Sequence, residues 1–349
     1  VTRIGENWIG EMEEISSNQQ REHVLVDRFG RKIKYLRISV TDKCNLRCIY
    51  CMPPFGERKL RHKDILRYEE LLRIARIAIT LGITKIRLTG GEPLVRQGVH
   101  EFIPMLTGLD GLMDVSITTN GVLLKQNLEM LKAAGIKRLN ISIDSLDRRK
   151  FEKITRFDHL DKVWEGIASA RDMGFYPIKL NVVMMKGVND DEILNFGRLA
   201  LEQPYHLRFI ECMPIGLETN SLAFVANQEV EKALVDAFGP LIPVSRGPYD
   251  GPAERFRFEQ GKGEIGFVSA ISHSFCHDCN RLRLTANGML LPCLLSDTEI
   301  SIKHPLRRGC LDGELIEVFR KAVRLKPACH PLNGQDNQKV HRKMCSVGG

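Results

Sequence analysis

Between residues 34 and 212, short runs in which apolar and polar residues alternate are each followed by a turn and a stretch of helical period. Alternation at period two predicts strands, and recurrence at three and four predicts amphipathic helices. Strands are expected at 35–40, 85–89, 114–119, 138–144, 177–184 and 206–212. Helices are expected at 69–81, 123–134, 160–173 and 190–202, with Gly82, Gly135 and Gly174 placed to end three of them. Six strand–helix alternations argue for an α/β chain with a parallel sheet.

The parity of these strands says more than their number. One face carries Leu36, Ile38, Ile86, Leu88, Val115, Ile117, Leu139, Ile141, Ile178 and Leu180. The opposite face carries Arg37, Ser39, Lys85, Arg87, Ser116, Thr118, Asn140, Ser142, Asp144, Lys179 and Asn181, and in the sixth strand Arg208 alternates with Leu207 and Phe209. A parallel sheet covered on both faces reads apolar throughout, and a closed eight-stranded barrel fills its interior with branched aliphatics. Burying unpaired cations is costly. The pattern therefore implies a wide, incomplete (β/α)6 TIM-type barrel whose lumen holds a polar, anionic ligand, with chemistry at the C-terminal strand ends. An antiparallel sheet with one solvated face alternates in the same way, but the helical spacers suit crossovers better than hairpins.

After Cys212 the repeat stops. A helix is expected at 227–238, Pro- and Gly-rich loops with a short strand at 255–258, then a hairpin-like region and a helix near 312–323. This α+β extension is expected to close the open side of the barrel. The implied division is an N-terminal extension at 1–25, the barrel at 26–215, a C-terminal domain at 216–340 and a tail at 341–349.

Hydrophobic content of 43% and charged content of 27% over 349 residues are those of a soluble globular protein. The one long apolar helical stretch, 71–81, is interrupted by Arg73, Arg76 and Thr80, so no membrane span is expected. The first twenty residues lack an apolar run and carry Glu6, Glu11, Glu13 and Glu14, unlike a targeting segment; a cytoplasmic location is expected. A net charge of +8 points to an anionic partner, yet there is no long Lys/Arg run to favour nucleic acid. A basic pocket for a phosphorylated small molecule fits equally well.

The ten cysteines point to metal rather than disulfides in a chain of this size. Cys44, Cys48 and Cys51 form C-x3-C-x2-C, with Tyr50 before the last. Structural zinc takes four ligands, and no Cys or His lies within ten residues after Cys51; His62 is next. Three thiolates on a cubane iron–sulfur cluster leave one iron open to a small molecule. Cys276, Cys279 and Cys293 form a second group, C-x2-C-x13-C, which reads either as a zinc site completed by His273, His277 or His304 or as a second three-thiolate cubane. Arg281 and Arg283 follow on one strand face, and Arg forks suit phosphate.

The first cysteine motif resembles the signature of the radical S-adenosylmethionine (SAM) enzymes. Together with Arg-Leu-Thr-Gly-Gly-Glu-Pro at 87–93, Phe-Cys-His-Asp-Cys-Asn-Arg-Leu-Arg-Leu-Thr at 275–285 and a terminal Gly-Gly, the chain is similar to the GTP 3′,8-cyclase family over about residues 26 to 349. That resemblance implies two [4Fe-4S] clusters, on Cys44, Cys48 and Cys51 and on Cys276, Cys279 and Cys293. It implies SAM at Tyr50, Gly91, Ser142 and Met213. GTP would meet Arg37, Lys85, Arg87, Thr118, Lys179, Arg208, Arg281, Leu282 and Arg283, with its guanine at the open iron of the second cluster. It implies abstraction of the ribose 3′ hydrogen by a 5′-deoxyadenosyl radical, ring closure onto guanine C8, and a catalytic role for Gly348 and Gly349. It further implies an electron donor, a homodimer, and delivery of the product to cyclic pyranopterin monophosphate synthase, with neither nucleic acid nor membrane as partner. Asn287 replaces the family's usual Asp, and Cys212, Cys310, Cys329 and Cys345 lack partner spacing and read as ordinary thiols. Rival readings are a peptide-modifying radical SAM maturase, which usually carries more C-terminal cysteines, and a non-catalytic metal protein binding RNA.

Overall fold

The alternating runs become β1 (Tyr35–Ser39), β2 (Lys85–Thr89), β3 (Asp114–Thr119), β4 (Leu139–Ser142), β5 (Ile178–Lys186) and β6 (His206–Glu211), each paired in parallel with the next. The computed structural model describes residues 24–57, 59–215, 223–247, 250–330, 340 and 342–347. Behind the strands lie α1 (Tyr68–Thr80), α2 (Val99–Thr107), α3 (Leu124–Ala133), α4 (Arg148–Thr155), α5 (Leu160–Asp172) and α6 (Ile193–Glu202). Leu36, Ile38, Ile86, Leu88, Ile117, Leu139, Ile141, Leu180 and Leu207 are fully buried in one core with Leu71 and Ile74 of α1, Phe102 of α2, Val163 of α5 and Phe196 of α6. Each such side chain contributes about 1.5–3 kcal/mol of burial, which fixes the strand register and turns the other face away from the helices.

The C-terminal region does not build a separate sheet. After β7 (Ala223–Phe224) and α7 (Asn227–Phe238), strands β8 (Leu241–Pro243), β9 (Glu254–Phe258) and β10 (Glu264–Val268) form a meander whose last member lies parallel to β6. Strands β11 (Arg281–Leu284), β12 (Met289–Leu291) and β13 (Ile300–Ser301) form a second meander, and β11 lies parallel to β1. Both edges of the six-stranded unit are thus extended, in the order β13-β12-β11-β1-β2-β3-β4-β5-β6-β10-β9-β8. Helices α8 (Lys303–Arg307) and α9 (Asp312–Arg324) follow, and α10 (Met344–Val347) carries the last described residues. No helix among the described residues is long and apolar enough to cross a membrane. Gly348, Gly349 and residues 1–23 lie outside the described residues.

Candidate active site between two cysteine groups

The loop after β1 carries Cys44, Cys48 and Cys51 and is pinned from two sides. Gly91 donates its N–H to Thr41 O at 2.7 Å and Glu92 to Lys43 O at 2.8 Å. A side chain at Gly91 would strike the Lys43 carbonyl, so only glycine allows this approach. The fully buried Glu92 accepts from Thr119 Oγ1 at 2.9 Å and Asn120 N at 2.7 Å. Asn120 in turn aims its amide at Asn45 Oδ1 (2.7 Å) and Cys44 Sγ (3.7 Å). From the other side, Arg47 N and Ile49 N donate to Thr155 O and Ile154 O at the end of α4, both at 2.9 Å. The Gly-Gly-Glu-Pro motif therefore acts as a brace for the cysteine loop. Burial, and after it the Asp144 carboxylate, pushes the Cys48 thiol well up; burial raises Cys44 too.

One cavity runs along the polar strand face. Its walls include Arg37, Arg87, Thr118, Arg208, Arg281 and Arg283, together with Tyr50, Ser142, Asp144 and Met213. Register explains the convergence, because Arg283 pairs with Arg37 and Arg37 with Arg87 across three neighbouring strands. Burial, and then repulsion from neighbouring arginines, lowers three of these cations: Arg208 and Arg283 fall to about 10 and Arg37 well below its usual value, whereas the Cys279 sulfur holds Arg281 up against its burial. Arg208 has Asn140 Oδ1 at 3.5 Å, and Arg87 donates to Ser116 Oγ at 3.2 Å. The buried Thr118 Oγ1 and Tyr35 OH have no protein partner and face this cavity. Such a concentration of buried positive charge with orphaned hydroxyls suits a polyanion.

The second group lines this cavity, with Cys276, Cys279 and Cys293 all in its walls, whereas of the first motif only Tyr50 reaches it and Cys44, Cys48, Cys51 and Gly91 lie behind the walls. Lys326, only 2% exposed, donates to Cys279 Sγ at 3.4 Å, Arg281 O at 2.9 Å and Pro292 O at 2.8 Å. Burial alone would raise the Cys279 thiol, but Arg281 and Lys326 bring it down to about 6; burial pushes Cys276 up to about 11. A thiolate beside buried cations fits a metal-bound sulfur. His273, His277 and His304 are exposed and absent from the cavity walls. Among the described residues no three His, Cys, Asp or Glu side chains converge as on a single ion; a cubane spreads its thiolates over separate irons.

Several expected site residues stand back from the cavity. Lys85 has Asp114 at 3.7 Å and sits 4.7 Å from the Tyr35 ring, and Lys179 has Asp250 at 3.5 Å. Leu282 packs in the hydrophobic core, so its side chain faces away from the cavity and only its backbone is near. Cys345 and Cys329, read as ordinary thiols, are not isolated: Cys345 stands beside Cys51 and Cys329 beside Cys276, each raising its neighbour's thiol. Sequence reasoning also missed Lys326, Tyr35 and Glu211. Tyr35 had a signal, since it shares strand parity with Arg37; Lys326, just beyond a helix, had none. Asp144, placed by parity on the polar face, accepts from Tyr50 OH at 2.7 Å and Val183 N at 2.8 Å, and burial pushes its carboxyl up to about 6.

Comparison with known proteins agrees with this layout. The Radical SAM superfamily model matches residues 38–200, and the Molybdenum Cofactor Synthesis C model matches 205–332. The GTP 3′,8-cyclase of Moorella thermoacetica is 48% identical over 326 residues, covering 93% of this chain and 100% of its own length. That of Pelotomaculum thermopropionicum is 45% identical over 327 residues with the same coverage. Streptococcus suis SuiB bound to S-adenosylmethionine superposes with a TM-score of 0.59 at 15% identity, over 87% of this chain and 70% of SuiB, which is a likeness of fold. With relatives of this identity aligned along their whole length, the chain belongs to the GTP 3′,8-cyclase family of the radical SAM superfamily.

Proposed function

We propose that this chain converts GTP to 3′,8-cyclo-7,8-dihydro-GTP, the first step of molybdenum cofactor biosynthesis, in the cavity between its two cysteine groups. The observation that carries this reading is the convergence of Arg37, Arg87, Arg208, Arg281 and Arg283 on one cavity with Cys276, Cys279 and Cys293 in its wall. Cys44, Cys48 and Cys51 would hold the [4Fe-4S] cluster that binds SAM, with Tyr50, Gly91, Ser142 and Met213 around the cofactor. Cluster-bound SAM supplies the oxidising radical chemistry that removes the ribose 3′ hydrogen. Cys276, Cys279 and Cys293 would hold a second [4Fe-4S] cluster facing the guanine.

The protein's own part is positioning. The five arginines fix the triphosphate with forked hydrogen bonds, Thr118 adds a hydroxyl, and Lys85 and Lys179, set behind the walls, add positive charge. Asp144 orients Tyr50 through its 2.7 Å hydrogen bond. A ribose held between the cluster sites meets the reacting carbon at short range, which removes most of the entropic barrier. Gly348 and Gly349 follow α10 directly and would approach the substrate where a side chain could not fit.

The six strand–helix units are read as an incomplete (β/α)6 barrel at 26–215, closed by the C-terminal region at 216–340 and followed by the tail. A cytoplasmic homodimer, a separate electron donor and transfer of the product to cyclic pyranopterin monophosphate synthase complete the proposal. Anaerobic protein given SAM, GTP and reductant should yield 5′-deoxyadenosine and cyclised nucleotide in equal amounts by chromatography. Deoxyadenosine without the cyclised product would refute the substrate assignment.

A further inference from the structure

Cys345 sits where a thiol outside both motifs has no evident business. It is 6% exposed, its neighbours Met344 and Val347 bury in the cluster against which Cys51 packs, and its thiol acts on that of Cys51, the last cysteine of the first group. Three contacts hold it there. Met344 and Val347 bury with Ile215, Leu291 and Leu295, and Cys51, Met213 and Cys293 pack at the edge of the same cluster. Val340 forms a β-bridge with Ile215. Lys343 Nζ donates to Glu57 Oε1 at 2.6 Å, tying the tail to the segment just after Cys51.

We propose that Cys51 and Cys345 form a reversible disulfide when the first cluster is lost to an oxidant, so that the tail guards the emptied site. The inference rests on Cys44, Cys48 and Cys51 being cluster ligands. While iron is bound, the Cys51 sulfur is committed and the pair cannot close. Once it is released, two thiols already in contact need only approach to about 2.05 Å.

The oxidant is a low-molecular-weight disulfide such as glutathione disulfide. The Cys345 thiolate attacks one of its sulfurs and expels one glutathione thiolate; Cys51 then attacks the Cys345 sulfur of the mixed disulfide and expels the second. One S–S bond forms in the protein and one breaks in the oxidant, and the two protons of the protein thiols leave on the two glutathione thiols. The product shields Cys51 from sulfinic oxidation, which thiols do not reverse, and staples α10 across the site until a reductant reopens it.

The test uses the full chain, loaded with iron anaerobically and then treated with glutathione disulfide and an iron chelator. After thiol alkylation, peptide mapping should show the Cys51–Cys345 link as the main disulfide involving the first group. Cys345→Ser and Cys345→Ala should load as much iron as wild type beforehand. After a further exposure to hydrogen peroxide, then dithiothreitol and fresh iron, they should regain roughly half or less of the wild-type iron, because peroxide takes the unprotected Cys51 to sulfinic acid, which dithiothreitol does not reverse. Cys51 found joined to Cys44 or Cys48, or equal recovery in all three proteins, overturns the proposal. Lower iron in both variants before oxidation overturns it differently, by making Cys345 a ligand. If wild type loads no cluster at the first group, the ligand assignment itself fails, a result read from iron content and spectra before any oxidant is added.

Discussion

The two cysteine groups lie at opposite ends of the same strands and in opposite electrostatic surroundings. Cys44 follows the C-terminal end of β1, whereas Cys279 precedes β11, whose first residue Arg281 pairs with Tyr35 at the start of β1. Five strand residues, on the order of 17 Å, separate the two levels. Near the first group stand the carboxylates of Glu92, which acts on Cys44, and Asp144, which acts on Cys48. Around the second stand Arg281, Arg283 and Lys326. A sulfonium cofactor would suit the acidic end and a nucleoside triphosphate the basic one, so charge alone would sort the two ligands proposed above.

The sharpest way to break this division is to empty one group at a time. Cys48→Ala and Cys279→Ala should each lower bound iron from about eight to about four per chain. Both should abolish cyclised product, but only Cys48→Ala should also abolish 5′-deoxyadenosine formation, since the other variant keeps the acidic end intact. Chromatography of both products after anaerobic incubation checks this. Equal loss of deoxyadenosine in the two variants would mean the sites are not separable.

Truncating one arginine asks the same question more gently. Arg283→Ala removes a buried, charge-assisted contact worth about 1.5–3 kcal/mol, so the KM for GTP should rise roughly 10- to 150-fold while SAM binding is unchanged. Asp144→Asn should do the converse, weakening SAM through the loosened Tyr50 and sparing GTP. Isothermal titration with each ligand separately tells the two apart.

How much of this polarity was legible beforehand depends on range along the chain. Strand parity placed Arg37, Arg87, Thr118 and Arg208 on one face, because period two is a local property and the helices bury the other face whatever the tertiary details. The Arg281/Arg283 face was readable for the same reason. That β11 would lie against β1, so that the C-terminal region extends both edges of the sheet, was not readable, since register between strands so distant in sequence leaves no local trace. Helix α2 was missed with Pro104 inside it, and α4 with only eight residues, five of them charged. Cys345 was read as ordinary because spacing identifies partners within a loop, not across a fold.

Lys326 sharpens the comparison at the basic end. Replacing it with Met leaves the Cys279 thiol with burial, which favours the neutral form, and only Arg281 to oppose it. Its pKa should climb from about 6, and loading of the second group should move to higher pH while the first is unaffected. Iron content after reconstitution across pH 6.5 to 8.5 measures this, and an unshifted profile would remove Lys326 from the account.

The mildest effect expected is a pH dependence of GTP binding. Burial, and then Arg208, lowers Lys179 to about 7, while burial brings Lys85 to about 8. A triphosphate nearby favours the charged amines and raises both values, so binding takes up protons wherever the free site has lost them. Affinity is then fully expressed below about 7 and falls as pH rises through the free-site values, by at most about tenfold per unit for each proton bound. Titration between pH 7 and 8.5, in buffers of different ionisation enthalpy, should show both the decline and the proton uptake. Lys179→Gln should bind GTP more weakly at pH 7 but with a shallower decline. SAM, held at the acidic end, should show no matching trend, and a parallel fall for both ligands would mean that the two ends share one field after all.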